Sequence, residues 1–293
     1  MPRPFRFGVN LLAPSPGAEW RARCRLAEEL GYDVILVPDH LGMVAPFPAL
    51  VAAAAVTERP RLGTLVLNAG LWNPTLLARE VATTDALTEG RLELGLGAGY
   101  VRAEHERAGL PFGAPKERAD HLRRTVEELE RLLGTGEAGF RPARERVPLL
   151  IGGDGERTLP LGVAHADVIG FTGARMVGGR LRALPAKEVA ERVARYEELA
   201  ADRAVPAERN LLIQVVAVTD DPATVLAPLL ERQPGLTLEE ALELPVVLVG
   251  SLDEVVAKAL ALRERYGFSY LTVLEPYLEV FAPVLERLRA ADV

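Results

Sequence analysis

Asp39 and His40 stand side by side directly after residues 33–38 (DVILVP), a short run that is apolar after its first position. A run of that kind reads as a strand buried on both faces. The pair then falls at the strand's carboxyl end, where parallel α/β proteins bind their ligands. An imidazole placed there can act as general acid or base, because histidine ordinarily titrates near neutrality. The adjoining carboxylate can orient the ring or the loop. The blander reading is a histidine that merely caps a loop; its place beside an aspartate at that end favours function.

Two glycine clusters accompany the pair. Residues 84–101 (TDALTEGRLELGLGAGYV) read as a helix end, then a strand from Arg91 to Gly97, then Gly97-Ala98-Gly99. Glycine at the end of a buried strand lets backbone come close to a ligand. No helix follows, so this is not a dinucleotide fingerprint, which would open one. Gly152-Gly153-Asp154-Gly155 follows residues 147–151 (VPLLI) and precedes a helix predicted from Glu156. Exposed N–H groups before a helix bind phosphate, and Arg157 can assist. Glycine is also common in plain strand-to-helix turns. Together the two clusters favour a phosphorylated cofactor.

The remaining histidines are weaker candidates. His105 lies in the loop after the fourth strand, while His121 and His165 fall in or beside helices. No histidine or carboxylate spacing suits a metal. Ser15, Ser251 and Ser269 are the only serines, and none follows a strand as a nucleophile would.

The elements that must position these residues alternate strand and helix throughout. Strands are predicted at residues 5–12, 33–38, 61–68, 91–97, 147–151, 167–171, 211–218 and 270–274, with helices between them. Residues 98–115 and 172–185 read as long loops, and 246–249 as a connector. Ser251 with Glu254 forms a capping box, and Pro74 opens a helix. Eight such units in 293 residues predict a single α/β domain over 1–293, a (β/α)8 TIM barrel with insertion segments. A doubly wound open sheet is the alternative.

Apolar residues make up 49% of the chain, enough for a large core. A net charge of −7 argues against a nucleic-acid or anionic-membrane surface. Cys24 is the only cysteine, which excludes an internal disulfide. No apolar run is long enough to span a bilayer and the start carries no signal-peptide pattern, so a cytoplasmic location is expected.

Four stretches carry a resemblance: GYDVILVPDH (31–40), LGTLVLNAGLWNPTLLAREVATTDALTEGRLELGLGAGY (62–100), VPLLIGGDGERTLPLGVAHADVIGF (147–171) and LVGSLDEVVAKALALRERYGFSYLTV (248–273). In this order the chain resembles the luciferase-like monooxygenase superfamily, whose barrels bind FMN or the deazaflavin coenzyme F420. The resemblance implies that His40 transfers a proton at the substrate. It also implies that Leu65 and Val66 form a bulge behind the tricyclic ring, through a non-prolyl cis peptide, and that Asn68 reaches the ring's edge. Gly97, Ala98, Gly99 and Tyr100 would flank the ring and ribityl chain. Gly152, Gly153 and Asp154 match the phosphate turn. A homodimer is implied as well. Tyr100 stands where sugar-phosphate dehydrogenases of the family carry an acid, and no equivalent of their substrate-phosphate lysines is visible. These departures argue against sugar-phosphate oxidation.

The leading expectation is an F420-dependent oxidoreductase moving a hydride between the deazaflavin C5 and a small organic substrate, with a compact chain favouring this branch. One alternative is a two-component monooxygenase using reduced FMN with a partner flavin reductase. Another is a noncatalytic flavin-binding barrel, against which Asp39-His40 argues.

Overall fold

A computed structural model of the chain describes residues 3–136, 139, 141–177 and 180–292. In chain order the elements are β1 (Arg6–Asn10), α1 (Gly17–Glu29), β2 (Val34–Val37), α2 (Pro46–Ala54), β3 (Arg61–Thr64), β4 (Leu67–Asn68), α3 (Pro74–Leu87), β5 (Leu92–Gly97), α4 (Arg102–Ala108), α5 (Pro115–Thr135), β6 (Leu149–Gly152), α6 (Leu159–His165), β7 (Val168–Phe171), β8 (Ala174–Val177) and β9 (Arg180–Ala183). There follow α7 (Ala186–Leu199), β10 (Glu208–Ile213), β11 (Val215–Val218), α8 (Pro222–Arg232), α9 (Leu238–Glu243), β12 (Val247–Gly250), α10 (Leu252–Tyr266), β13 (Tyr270–Leu274) and α11 (Ala282–Ala290). Short 3-10 turns cover Ala69–Leu71 and Glu275–Tyr277.

The main sheet runs β3-β2-β1-β13-β10-β7-β6-β5-β4, and β3 also pairs with β5. That extra pairing makes the strand order cyclic. With helices between successive strands, the fold class is the expected (β/α)8 barrel. The third barrel strand is made of two pieces, β3 and β4, separated by a cis peptide between Leu65 and Val66.

The chain divides into two compact units, residues 10–169 and residues 1–9 with 170–293. In the first, β2, β3, β5 and β6 pair in parallel register. Every residue of β2 is buried, as its unbroken apolar run requires. Helices α3 and α5 bury Leu77, Val81, Leu122, Val126 and Leu129. These positions recur at helical spacing, so each helix presents one apolar stripe. Asn73 caps α3, its side chain accepting from the Thr75 and Leu76 N–H groups, and Pro74 follows where its missing N–H costs nothing.

In the second unit, β10 pairs in parallel with β13. Phe171, Phe268 and Tyr196 pack edge to face. Ser251 and Glu254 form the expected capping box of α10.

The structure corrects several boundaries. The strand expected over 211–218 is two strands. At Gln214 the backbone N–H donates to Val246 O, and β11 then pairs with β12. The supposed connector at 246–249 is therefore a strand. The loop over 98–115 contains α4, ended by Gly109 in the left-handed region. The loop over 172–185 contains the β8–β9 antiparallel pairing. The helix expected from Glu156 begins at Leu159. No described helix is long and apolar enough to cross a membrane.

Candidate active site

The residues that the sequence assigns to catalysis or cofactor binding all lie within residues 10–169. Asp39 leaves β2 and is held by two donors. Its Oδ2 accepts from Trp72 Nε1 at 2.8 Å and from the Asn68 backbone N–H at 3.2 Å. The carboxylate thus ties the end of β2 to β4 and the turn beyond it. Of the two roles open to Asp39, orienting the loop is the one these bonds perform. Burial pushes the Asp39 carboxyl above the ordinary aspartate range, with Glu104 acting in the same direction; Trp72, the Asn68 amide and His40 act against it.

His40 turns instead to α4. Its Nδ1 lies 2.8 Å from Glu104 Oε1. A carboxylate only accepts, so Nδ1 carries the proton and the neutral ring keeps its lone pair on Nε2. The side chains are 27% and 13% exposed, which shields the pair without sealing it. Tyr100 meets the imidazole edge to face, with centroids 5.7 Å apart. Partial burial, with Glu104 adding to it, raises the Tyr100 phenol above its usual value. Tyr100 is therefore a neutral hydroxyl at ordinary pH and no base.

A second relay fixes the floor beside this pair. Asn68 is buried; its Oδ1 accepts from the Gly70 N–H at 3.0 Å. Its Nδ2 lies 3.1 Å from His105 Nε2, while His105 Nδ1 lies 2.9 Å from Pro111 O. A carbonyl oxygen cannot donate, so His105 is protonated at Nδ1 and accepts from Asn68 at Nε2. That tautomer leaves His105 no free nitrogen for proton transfer. Asn68 retains one amide hydrogen and one lone pair beyond these bonds. Gly99 sits against the Asn68 carboxamide with φ of 72°, and a Cβ there would overlap Oδ1. Only glycine satisfies both demands.

The cis peptide places Val66 between two strand ends. A Cβ on Gly97 would lie 2.7 Å from Val66 Cγ2, and one on Gly152 2.9 Å from Val66 Cγ1. These glycines therefore make room for Val66 itself, which remains half-buried beside Leu65. From sequence, these glycines are expected to vacate space for a ligand directly. In the structure they shape the bulge that would back one. Ala98 and Tyr100 continue from the strand end, half-buried and exposed. Gly153 has φ of 125° and opens the turn before α6; Asp154 is buried within it.

Glu104, Trp72 and Arg118 were not singled out from sequence. Arg118 on α5 donates to Gly99 O at 3.0 Å and to Gly113 O at 2.7 Å, pinning both ends of the segment that carries α4. The overlooked signal was helical: Gly109 is a C-cap, and Glu104 and His105 are neighbours on one turn, so they diverge toward different partners. No cluster of metal-binding side chains occurs among the described residues.

The family model for luciferase-like monooxygenases matches residues 3–233. The chain belongs to the luciferase-like monooxygenase family. Among curated relatives, an F420-dependent glucose-6-phosphate dehydrogenase from Beutenbergia cavernae is 40% identical over 116 residues. That stretch covers 36% of this chain and 34% of the relative, so the chain matches about a third of that protein's length. Among solved structures, an F420-dependent secondary alcohol dehydrogenase in complex with an F420–acetone adduct superposes with a TM-score of 0.78 at 15% identity, covering 98% of this chain and all of the other. The oxygenating constituent of 3,6-diketocamphane monooxygenase from Pseudomonas putida, in complex with FMN, gives 0.71 at 17% identity, covering 98% and 96%. At these identities the two structures support the fold.

The residues present suit a flavin-type cofactor of this family. Leu65 and Val66 offer a half-buried apolar bulge against a flat ring, and the 152–155 turn offers backbone at a strand end. His40 and Tyr100 stand beside one another at the rim.

Proposed function

We propose that this protein is an F420-dependent oxidoreductase acting on a small, largely apolar alcohol, ketone or enone. The observation that carries the reading is the His40–Glu104 pair, which leaves Nε2 of a partly exposed imidazole available at the end of a barrel strand. The deazaflavin supplies hydride chemistry at its C5 when bound. His40 handles the accompanying proton. In alcohol oxidation Nε2 takes the hydroxyl proton as the carbon gives up its hydride; in carbonyl reduction the imidazolium returns that proton to oxygen. The Glu104 carboxylate holds the ring by Nδ1 and stabilises the charge that protonation places on it.

In this reading Leu65 and Val66 back the ring, with Gly97, Ala98, Gly99 and Tyr100 along its edge. Backbone N–H groups of Gly152 and Gly153 take the phosphate, with Asp154 bracing the turn from inside. Asn68 acts through His105 and Gly70 to hold that floor. Leu41, Met43 and Tyr100, each between 39% and 49% exposed, give the His40 surroundings an apolar character. The relative's sugar-phosphate substrate therefore suits this chain poorly, while its F420 dependence supports F420 as the cofactor. The second reading, a reduced-FMN monooxygenase served by a flavin reductase, draws on the FMN-bound neighbour of the same fold.

The experiment is a turnover panel with F420 and its reduced form against secondary alcohols, ketones, enones, quinones and glucose 6-phosphate. Activity on neutral carbonyl compounds or alcohols, none on glucose 6-phosphate, is the expected outcome. Turnover confined to the sugar phosphate, or oxygen uptake with reduced FMN in place of F420 turnover, would reject the reading.

A further inference from the structure

Asn10 is the last residue of β1 and belongs to the same compact unit as His40, residues 10–169. It is 3% exposed, and its Nδ2 donates at 3.4 Å to Leu65 O, in the bulge between β3 and β4. In the sheet, β2 lies between β1 and β3. A side chain of one strand reaches the main chain of the next strand but one only across the concave inner face of a barrel, so Asn10 points inward. The same bond fixes which way the amide faces. Leu65 O can only accept, so Nδ2 must face it and Oδ1 must face away. Among the described residues nothing donates to Oδ1, although that atom is buried. Buried side-chain oxygens are normally paired, and one left unpaired costs stability. At the ligand-binding end of a barrel strand, such an atom marks a place for a donor that arrives with a ligand.

Position decides which ligand. In the reading above, the cofactor extends from the bulge to the 152–155 turn, along the ends of β5 and β6. Asn10 lies on the opposite flank of the bulge. The Leu11 N–H donates to Leu36 O at 2.8 Å, which sets Asn10 level with the end of β2, just before Asp39 and His40. A substrate must come to this flank to meet His40 Nε2.

We infer that Asn10 is a specificity residue: its Oδ1 accepts a hydrogen bond from the substrate, so the preferred substrates carry an O–H or N–H in addition to the alcohol or carbonyl that reacts. This rests on the function proposed above and narrows its substrate class. The extra donor is required because the reacting group has none to spare. A reacting alcohol gives its one hydroxyl proton to His40, and a reacting carbonyl has no hydrogen to give. A hydroxy ketone meets both demands, with His40 at the reacting oxygen and Asn10 at the second hydroxyl. An analogue without that hydroxyl leaves Oδ1 buried and unpaired, which is how a site built around a hydrogen bond rejects ligands that lack the donor.

The test is a ligand-observed NMR titration of the purified protein, without cofactor and again with oxidised F420, which cannot reduce a ketone. The probes are the positional isomers of hydroxycyclohexanone, each paired with its methyl ether. At least one hydroxy ketone should bind about tenfold or more tightly than its ether. Asn10→Leu, close in size and without polar atoms, should raise the Kd of that hydroxy ketone to the Kd of its ether. Asn10→Asp keeps an accepting oxygen and should keep the preference. An ionised aspartate has no proton for Leu65 O, so a residue that only tied down the bulge would make the Asp and Leu variants behave alike. That result, equal binding within every pair by wild type, or a preference that survives Asn10→Leu would overturn the assignment with the F420 reading intact. Weaker F420 binding by Asn10→Leu, with no hydroxyl preference in wild type, would give the acceptor to the cofactor and overturn it as well. A hydroxyl preference that depends on Asn10, in a protein that turns over none of these ketones with reduced F420, would uphold the acceptor and reject the F420 reading.

Discussion

At the scale of single residues, proton transfer depends on which nitrogen of which histidine is free. Both candidate rings are committed on one side, but only His40 keeps Nε2 open. His40→Ala should lower kcat by about 10²–10⁴, leave the cofactor Kd nearly unchanged, and remove the imidazole limb from the pH–rate profile. Glu104→Gln keeps an acceptor for Nδ1–H and removes the charge. It should lower kcat with little change in KM, and add nothing when combined with His40→Ala, because the two act as one unit. Additive losses in the double variant would show that Glu104 works independently of His40. Asp39 gives a stability prediction of definite sign. Its carboxyl is raised in the folded protein, so the folded state holds the proton more tightly than the unfolded one. Stability should therefore fall as pH rises from the ordinary aspartate value through the raised one. Asp39→Asn should flatten that slope while retaining an oxygen for Trp72 Nε1. Urea denaturation across the acid range reads this directly; an unchanged slope would remove the burial argument. None of these partnerships was visible in sequence. His40 and Glu104 are 64 positions apart, and only a helix inside an apparent loop brings them together.

At the scale of elements, the bulge between β3 and β4 is held by what its neighbours lack. Gly97→Ala and Gly152→Ala should each drive Val66 off its place, costing about 1–3 kcal/mol by overpacking and weakening cofactor binding. Combining either with Val66→Ala should restore stability, since the smaller side chain vacates the space. Failure of that rescue, measured by thermal unfolding, would show that the glycines are needed for another reason. In the other unit, Lys258 of α10 donates to Leu242 O and to Leu244 O at the end of α9, the second at 2.9 Å. Burial lowers its pKa to about 8, with Glu243 opposing the shift. Because the folded-state value lies below the unfolded one, stability should rise as pH increases from about 8 toward the ordinary lysine value of roughly 10.4. Lys258→Met should abolish that rise and leave two carbonyls without their donor. Barrel strands were legible because buried parallel strands leave plain apolar runs. The β11–β12 pairing was not, because a run such as VVLV has no periodicity to separate strand from connector. Helix α4 was hidden by its polar composition and by the glycines on either side of it.

At the scale of the molecule, the strand and helix alternation was enough to reach the fold class, and four sequence stretches were enough to reach the family. The fold alone leaves the cofactor open, since F420-bound and FMN-bound proteins share it. The most direct measurement is therefore a paired titration of purified wild-type protein, with oxidised F420 followed by its fluorescence and with reduced FMN under anaerobic conditions. The account predicts saturable quenching of F420 at a one-to-one ratio, with FMN binding at least about tenfold weaker, a difference of roughly 1.4 kcal/mol. Tight binding of reduced FMN with no response from F420 would contradict it.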